Sequence, residues 1–490
     1  VTGASAVTPI SVLSVASEYW PLVKTGGLAD VAGALPAAVA PHGVAMTPFL
    51  PGYPAVLKAL GRKRVLHHYA ALLGAPARVL AAKHDGRPVL VLDAPGYFER
   101  EGGPYADGTG RDWADNGLRF AAFARAAADV AAGLAGSKPF DILHAHDWQA
   151  GLAPAYLVHA TPVTRRPRTA MTIHNMAFQG YFGADFFPRL ELPQSAWSIE
   201  GVEYHGGVGF LKAGLALADA ITTVSPSYAE EIRTAEFGMG LEGLILGRAD
   251  RLSGIVNGID PAQWTPTADP ALAARFSAAT LGKRRANKRA VEAAFGLEPG
   301  EGPLFIVVSR LTWQKGMDVL VEAIDHLVGQ GGRLALLGTG DAAIEAGLHA
   351  AAGRHPGRVG IRIGYDEALS HLMQGGGDAI LIPSRFEPCG LTQLYGLAYG
   401  CVPVVARTGG LADTVVDANL AAVSADAATG ILFSPVSHAG LTHAITRAVR
   451  LYGEESVWRR IQKRGMAADF TWSRSGAAYA RLYAHLKEQA

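Results

Sequence analysis

Short apolar runs recur along the chain, each followed by a polar or glycine-bearing turn and then an Ala-rich stretch with helical spacing. The runs ISVLSVA, PVLVLDA, DILHAHDW, TAMTIHN, AITTVS, LFIVVSR, RLALLGTGD, AILIPS and VPVVA are almost continuously hydrophobic. That pattern predicts parallel strands covered on both faces. Stretches such as LRFAAFARAAADVAAGLAG supply the covering helices. Strand, turn and helix in repetition predict doubly wound α/β layers.

The alternation pauses at GIVNGIDPAQWTPTADP, residues 254–270, which is rich in Gly, Pro and Asp. A charged helical segment, GKRRANKRAVEAAFG, follows, and LFIVVSR then starts a fresh series of strands. With 490 residues the chain exceeds one ordinary core. The expected organisation is a Rossmann-like domain over 1–256, a second over 257–467, and a final amphipathic helix within 468–490. That helix could pack on either domain and is expected to return to the first. Open parallel sheets bind ligands at the carboxyl ends of their strands, so two such domains facing each other would line one cleft.

Composition narrows the partners. The chain is 49% hydrophobic and 18% charged, with a net charge of +1, which favours neither nucleic acid nor an anionic membrane. No apolar run is long enough to span a bilayer. The apolar N-terminus lacks a positive leading region and reads as a first buried strand. Two cysteines, Cys389 and Cys401, are too few for a disulfide scaffold and suggest a reducing, cytoplasmic setting. There is no Asp-x-Asp pair and no His/Cys cluster with metal-ligand spacing, so neither a metal nor a cofactor is expected.

The sequence TGGLAD occurs twice, at 25–30 and 408–413, each copy after an apolar run and opening a helical stretch. A glycine pair there is either an anion cradle, with free N–H groups aimed at phosphate, or a tight strand–helix turn. Lys24 and Arg407 flank the two copies and favour the anion. Arg310 and Lys315, in SRLTWQKG after a strand, have the forked and compact cations that suit a diphosphate. Glu387, in PSRFEPCGLTQLYGLAYG, precedes a helix expected to start near Cys389 to Leu391. There a carboxylate can grip sugar hydroxyls while the N–H groups of Gly390, Leu391 and Thr392 meet phosphate. Asp147 and His174 end strands in the first half and suggest a pocket wall. Tyr105 and Trp113, in a Gly-rich loop, could stack on sugar faces or simply anchor the loop.

Taken together, KTGGLADVAGALP, HAHDWQAGLAP, TIHNMAFQG, IVNGID, SRLTWQKG and PSRFEPCGLTQLYGLAYG resemble, in order and over nearly the whole chain, the bacterial glycogen synthases and plant starch synthases. The resemblance implies a GT-B fold, with two Rossmann-like domains facing a deep cleft that closes on its ligand. It implies transfer of glucose from ADP-glucose to the non-reducing end of an α-1,4-glucan with retention, without metal. By the same resemblance Lys24, Gly26, Gly27, Asp30 and Asn257 lie beside the donor, and Tyr365 stacks on adenine. Arg310 and Lys315 hold the diphosphate, and Glu387, Cys389, Gly390, Leu391 and Thr392 form the glucose- and diphosphate-binding loop. His174 and Asp147 surround the glucosyl unit and the acceptor. Tyr395 stands where many retaining GT-B enzymes carry a second Glu, which these synthases generally lack. The second TGGLAD is expected to support the sugar-binding loop rather than contact phosphate. The rival readings are a UDP-glucose-dependent transferase with another acceptor and a catalytically silent carbohydrate-binding protein.

Overall fold

The computed structural model describes residues 9–163 and 165–489. Residues 1–8, the start of the apolar N-terminal run, lie outside them. The chain divides into two compact units. The first comprises residues up to Val224, Ala229–Val256 and Trp472–Ala490; the second comprises Ser225–Tyr228 and Asn257–Thr471. The second unit therefore runs four residues past the expected end at 467 and takes in a short segment from the first half.

In the first unit the strands are β1 (Ile10–Val15), β2 (Val44–Pro51), β3 (Arg64–Leu72), β4 (Ala75–His84), β5 (Arg87–Asp93), β6 (Ile142–His146), β7 (Arg168–Ile173), β8 (Ala220–Thr223) and β9 (Leu252–Gly254). They form one sheet in the order β9-β8-β7-β6-β1-β2-β5-β4-β3. Pairing is parallel except at the β3–β4–β5 edge. A small antiparallel sheet of Tyr181–Gly183, Gly207–Gly209 and Glu203–Tyr204 is inserted in the chain between β7 and β8. Helix α1 (Gly27–Val39) follows β1, and α2 (Asn116–Ala131), rich in alanine, is buried along most of its length.

In the second unit β10 (Leu304–Val308), β11 (Arg333–Gly338), β12 (Val359–Ile363), β13 (Ala379–Ile382), β14 (Val402–Ala406) and β15 (Ile431–Phe433) make an all-parallel sheet ordered β12-β11-β10-β13-β14-β15. Helix α3 (Met317–Gly329) follows β10, α4 (Thr392–Tyr399) follows β13, and α5 (Gly409–Thr414) follows β14. The order steps outward in both directions from β10 and β13, the switch point where open α/β sheets collect ligands.

The last helix, α6 (Trp472–Glu488), belongs to the first unit. Its Trp472, Tyr479, Tyr483 and Leu486 share a core with Val31 and Leu35 of α1 and Val12 of β1.

Candidate active site

In the first unit, the chain leaves β1 and reaches the first TGG through Glu18. Glu18 is only 3% exposed. Its carboxylate accepts the N–H of Thr25 (2.5 Å), the N–H of Gly26 (2.9 Å), the Thr25 hydroxyl (2.5 Å) and the Tyr105 hydroxyl (2.7 Å). The anion cradle thus exists, but an internal carboxylate fills it. It takes the amides of Thr25 and Gly26. Beside it, exposed Lys24 pairs with Asp30 at 2.9 Å and lies 5.0 Å from the centre of the Trp20 ring. Asp30 is therefore a partner of Lys24. Gly26 is extended (φ −154°), and a Cβ there would meet nothing within 4 Å. The open space over Gly26, with exposed Gly27 opening α1, leaves room for close ligand approach.

Tyr105 also departs from expectation. Its hydroxyl is fixed between Ser17 (2.7 Å) and Glu18, and its ring leans on Phe120. It braces the loop instead of offering a free sugar platform. Trp113 anchors the same loop, donating its indole N–H to the Gly103 carbonyl under the Arg100 guanidinium.

Where β6 ends, Asp147 takes a positive φ of 54° and accepts the N–H of His174 at 2.7 Å. Burial pushes its carboxyl up to about 7, against the opposing pull of the His174 and Asn175 N–H groups. His174, after β7, places Nε2 3.0 Å from His146 Nδ1, and His146 Nε2 lies 3.2 Å from Ser14 Oγ. His144 stacks on His146 and bridges Thr172 Oγ1 (2.6 Å) and the Tyr483 hydroxyl (2.8 Å). Burial drives His144 and His174 down to about 3 and His146 in the same direction. These imidazoles are neutral at pH 7, so His174 acts as a hydrogen-bonding group and not as a charge.

In the second unit, two loops at the switch point lie directly on each other. Gly316, at φ +66°, sits where a Cβ would fall 1.9 Å from the Pro383 carbonyl oxygen. The Arg385 N–H donates to Gln314 O, and its guanidinium clasps Asp318 through two 2.7 Å bonds. This packing brings Lys315 Nζ to 2.7 and 2.6 Å from the two oxygens of Glu387. Ser384 Oγ donates to the same carboxylate at 2.8 Å. The sequence assigned Lys315 to a diphosphate and Glu387 to a sugar; the structure makes them a partly buried ion pair. Arg310 is exposed and its side chain has no hydrogen bond or ion pair to a described residue. Tyr365 is 69% exposed, its hydroxyl tied to Glu367 and its ring face open.

Helix α4 begins at Thr392, just beyond the expected start, with Leu391 as its N-cap and Gly390 at φ +71°. The Cys389 thiol is buried, hydrogen-bonded by Asn257 and pushed up to about 12 by desolvation, which keeps it protonated and inert. Asn257 is thus placed on Cys389, and its buried Oδ1 lacks a described partner. Gln393 closes the loop from below, donating to the carbonyls of Cys389 (3.0 Å) and Gly390 (2.9 Å). In the second TGG, the Gly410 N–H donates to the carbonyls of Glu387 (3.0 Å) and Pro388 (3.2 Å). A Cβ on Gly410 would meet the Cys389 oxygen at 2.1 Å. Asp413 accepts from the N–H and hydroxyl of Ser227.

Glu18, His146, Ser384 and Gln393 had drawn no attention in the sequence. Glu18 lies among apolar residues seven positions before Thr25, at no spacing that marks it. Among the described residues there is no group of three or more His, Cys, Asp or Glu able to hold a metal, and no helix long and apolar enough to cross a membrane.

Comparison with known proteins places this geometry. Residues 11–246 match the family model "Starch synthase catalytic domain" and residues 289–464 match "Glycosyl transferases group 1". The chain is 69% identical to the glycogen synthase of Novosphingobium aromaticivorans, over 97% of this chain and 99% of that protein. It is 57% identical to the glycogen synthase of Rhizobium rhizogenes over the same shares. Among solved structures, the catalytic domain of starch synthase IV from Arabidopsis thaliana, bound to ADP and acarbose, matches with a TM-score of 0.88 and 30% identity, over 98% of this chain and 100% of that one. Sucrose-phosphate synthase from Thermosynechococcus elongatus shares the fold at a TM-score of 0.59 and 17% identity, over 98% and 100%.

Proposed function

The chain belongs to the glycogen and starch synthase family of GT-B hexosyltransferases, and from that premise we propose that it transfers glucose from ADP-glucose to the non-reducing end of an α-1,4-glucan, with retention and release of ADP. The observation that carries this reading is the β10–α3 loop packed on the β13–α4 loop. It gathers Lys315, Glu387 and the α4 N-terminus at one switch point, the equipment for a sugar diphosphate.

Tyr365 offers its open ring to the adenine. Arg310, Lys315 and the N–H groups of Gly390, Leu391 and Thr392 take the diphosphate. By family resemblance Lys24, Gly26 and Gly27 are assigned to the donor, and Asp147 and His174 to the glucosyl unit and the acceptor. The bond from the anomeric carbon to the β-phosphate oxygen breaks as the acceptor O4 bonds on the same face. The acceptor proton passes to the departing phosphate. Glu387, already neutralised by Lys315, orients the sugar ring and stabilises its positive charge, without forming a covalent adduct. Charge on the leaving group is met by cationic side chains, with no metal or other cofactor in the scheme. The two free buried thiols suit a reducing compartment, and the reading is of a cytoplasmic enzyme.

The test is incorporation of labelled glucose into glycogen from ADP-glucose and UDP-glucose, with excess EDTA. Transfer from ADP-glucose supports the whole reading. Transfer only from UDP-glucose overturns the donor, a requirement for added Mg²⁺ overturns the metal-free scheme, and transfer from neither overturns the activity.

A further inference from the structure

Glu18 takes no part in the scheme above, yet few carboxylates in the first unit are so fully engaged. It accepts two backbone N–H groups and two hydroxyls while 3% exposed. The donors come from two segments far apart in sequence. Thr25 and Gly26 belong to the loop that carries Lys24. Tyr105 belongs to the loop of residues 99–113, which α2 organises from behind. There Arg119 donates to the carbonyls of Tyr97 and Pro104, and Asn116 donates to the carbonyl of Tyr105. Glu18 is the junction through which that scaffold reaches the Lys24 loop.

We propose that Glu18 is a positioning residue for the transfer reaction, an internal anion that locks the 24–27 loop and ties it to the Tyr105 loop. The inference rests on the reading that this loop meets the sugar nucleotide. A TGG loop has little side-chain packing of its own to fix it, and exposed Lys24 is set only as well as its backbone is. The carboxylate supplies the missing constraint through charge-assisted bonds, the strong kind. Glutamine has the same shape but no charge: its oxygen can keep the two N–H groups and its amide nitrogen can donate to the two hydroxyls, so every charge-assisted bond becomes a neutral one and the lock weakens.

The experiment uses the full chain with Glu18→Gln and, as a milder variant that removes one bond, Tyr105→Phe. Four quantities are measured: amide exchange of the peptide covering 24–29, thermal midpoint, ADP affinity by calorimetry, and kcat and KM. For Glu18→Gln, exchange at 24–29 should rise at least about tenfold, as exchanging charge-assisted bonds for neutral ones implies. The kcat should fall about 100-fold, as for a misplaced binding element, with ADP affinity within about threefold because the adenosine and diphosphate contacts are assigned to the second unit. Tyr105→Phe should move exchange and kcat in the same direction by less, and it keeps the question answerable should Glu18→Gln fail to fold. Parent-like exchange and kcat in either folded variant overturn the proposal. So does a kcat loss matched by an equal loss of ADP affinity and thermal midpoint, which marks general destabilisation. If the parent transfers glucose from no donor, the functional reading fails, whereas faster loop exchange in the variants still supports the lock.

Discussion

Glu387 faces Lys315 across a partly buried ion pair, so removing its charge without its shape isolates what the charge does. Glu387→Gln should keep ADP affinity within several-fold while kcat falls by at least about 100-fold, the pattern of an interaction stronger in the transition state than in the ground state. Steady-state kinetics with ADP titration checks this, and a change confined to KM would refute the role. The histidine stack makes a second residue-scale prediction. His144 has an unfolded value near 6.5 and a folded value of about 3. Between these the unfolded chain binds more protons, so stability is full above pH 6.5 and declines as pH falls. Asp147, pushed up to about 7 from its ordinary 3.8, runs the opposite way over 3.8 to 7. The test therefore compares variant with parent. Urea unfolding of His144→Gln should show a shallower acid loss than the parent, by up to about 1.4 kcal/mol per pH unit. Equal slopes would show that His144 is not the group responsible. Lys24, Arg310, Lys315 and Glu387 were legible in the sequence because each sits where strand-end chemistry points. Glu18 and His146 were not: nothing in the spacing of Glu18 marks it as the acceptor for Thr25 and Gly26, and its Tyr105 partner, like the Ser14 partner of His146, lies 87 and 132 residues away respectively and is met only in the fold.

The two TGGLAD copies show how one local motif serves different packing at the level of elements. Both follow a strand and open a helix, and both have amides taken by a glutamate: the Glu18 side chain in one, the Glu387 carbonyl in the other. Two of their glycines, the first of one copy and the second of the other, differ sharply in space. An alanine at 26 meets nothing, whereas one at 410 drives into the Cys389 backbone. Gly26→Ala should thus change stability by no more than about 1 kcal/mol, the modest cost of alanine at an N-cap, while raising KM for the donor. Gly410→Ala should cost more than about 2 kcal/mol by overpacking and lower kcat by shifting the Glu387 loop. Denaturant melts and kinetics on the pair separate the two roles, and a stability loss at Gly26 equal to that at Gly410 would show that the first glycine is structural. Buried parallel strands such as β1, β6, β10 and β14 were legible as unbroken apolar runs. The β3–β4 hairpin was not, because its edge position leaves RVLHHYAAL largely open to solvent and mixed in polarity.

At the scale of the whole molecule, the first unit is closed by residues from the far end of the chain. The sequence showed α6 to be amphipathic and led to the expectation that it returns to the first domain, but the surface of small residues on which it docks could not be read from the helix itself. The contact is close: a Cβ on Gly476 would fall 2.2 Å from the Ala38 carbonyl of α1. Behind it Tyr479, Tyr483 and Leu486 are almost wholly buried, and Tyr483 also holds His144. Gly476→Val should force α6 away from α1 and withdraw part of that apolar surface, lowering the stability of the first unit by about 3 kcal/mol or more. A chain of two units need not melt in one step, so calorimetry should show an early transition for the first unit. The ADP contacts are assigned to the second unit, so ADP should still raise the midpoint of the remaining transition. A variant that melts like the parent would mean that α6 docks without being integral to the first core. One in which ADP stabilisation vanishes along with the first unit would move part of the nucleotide site away from the β10 and β13 loops.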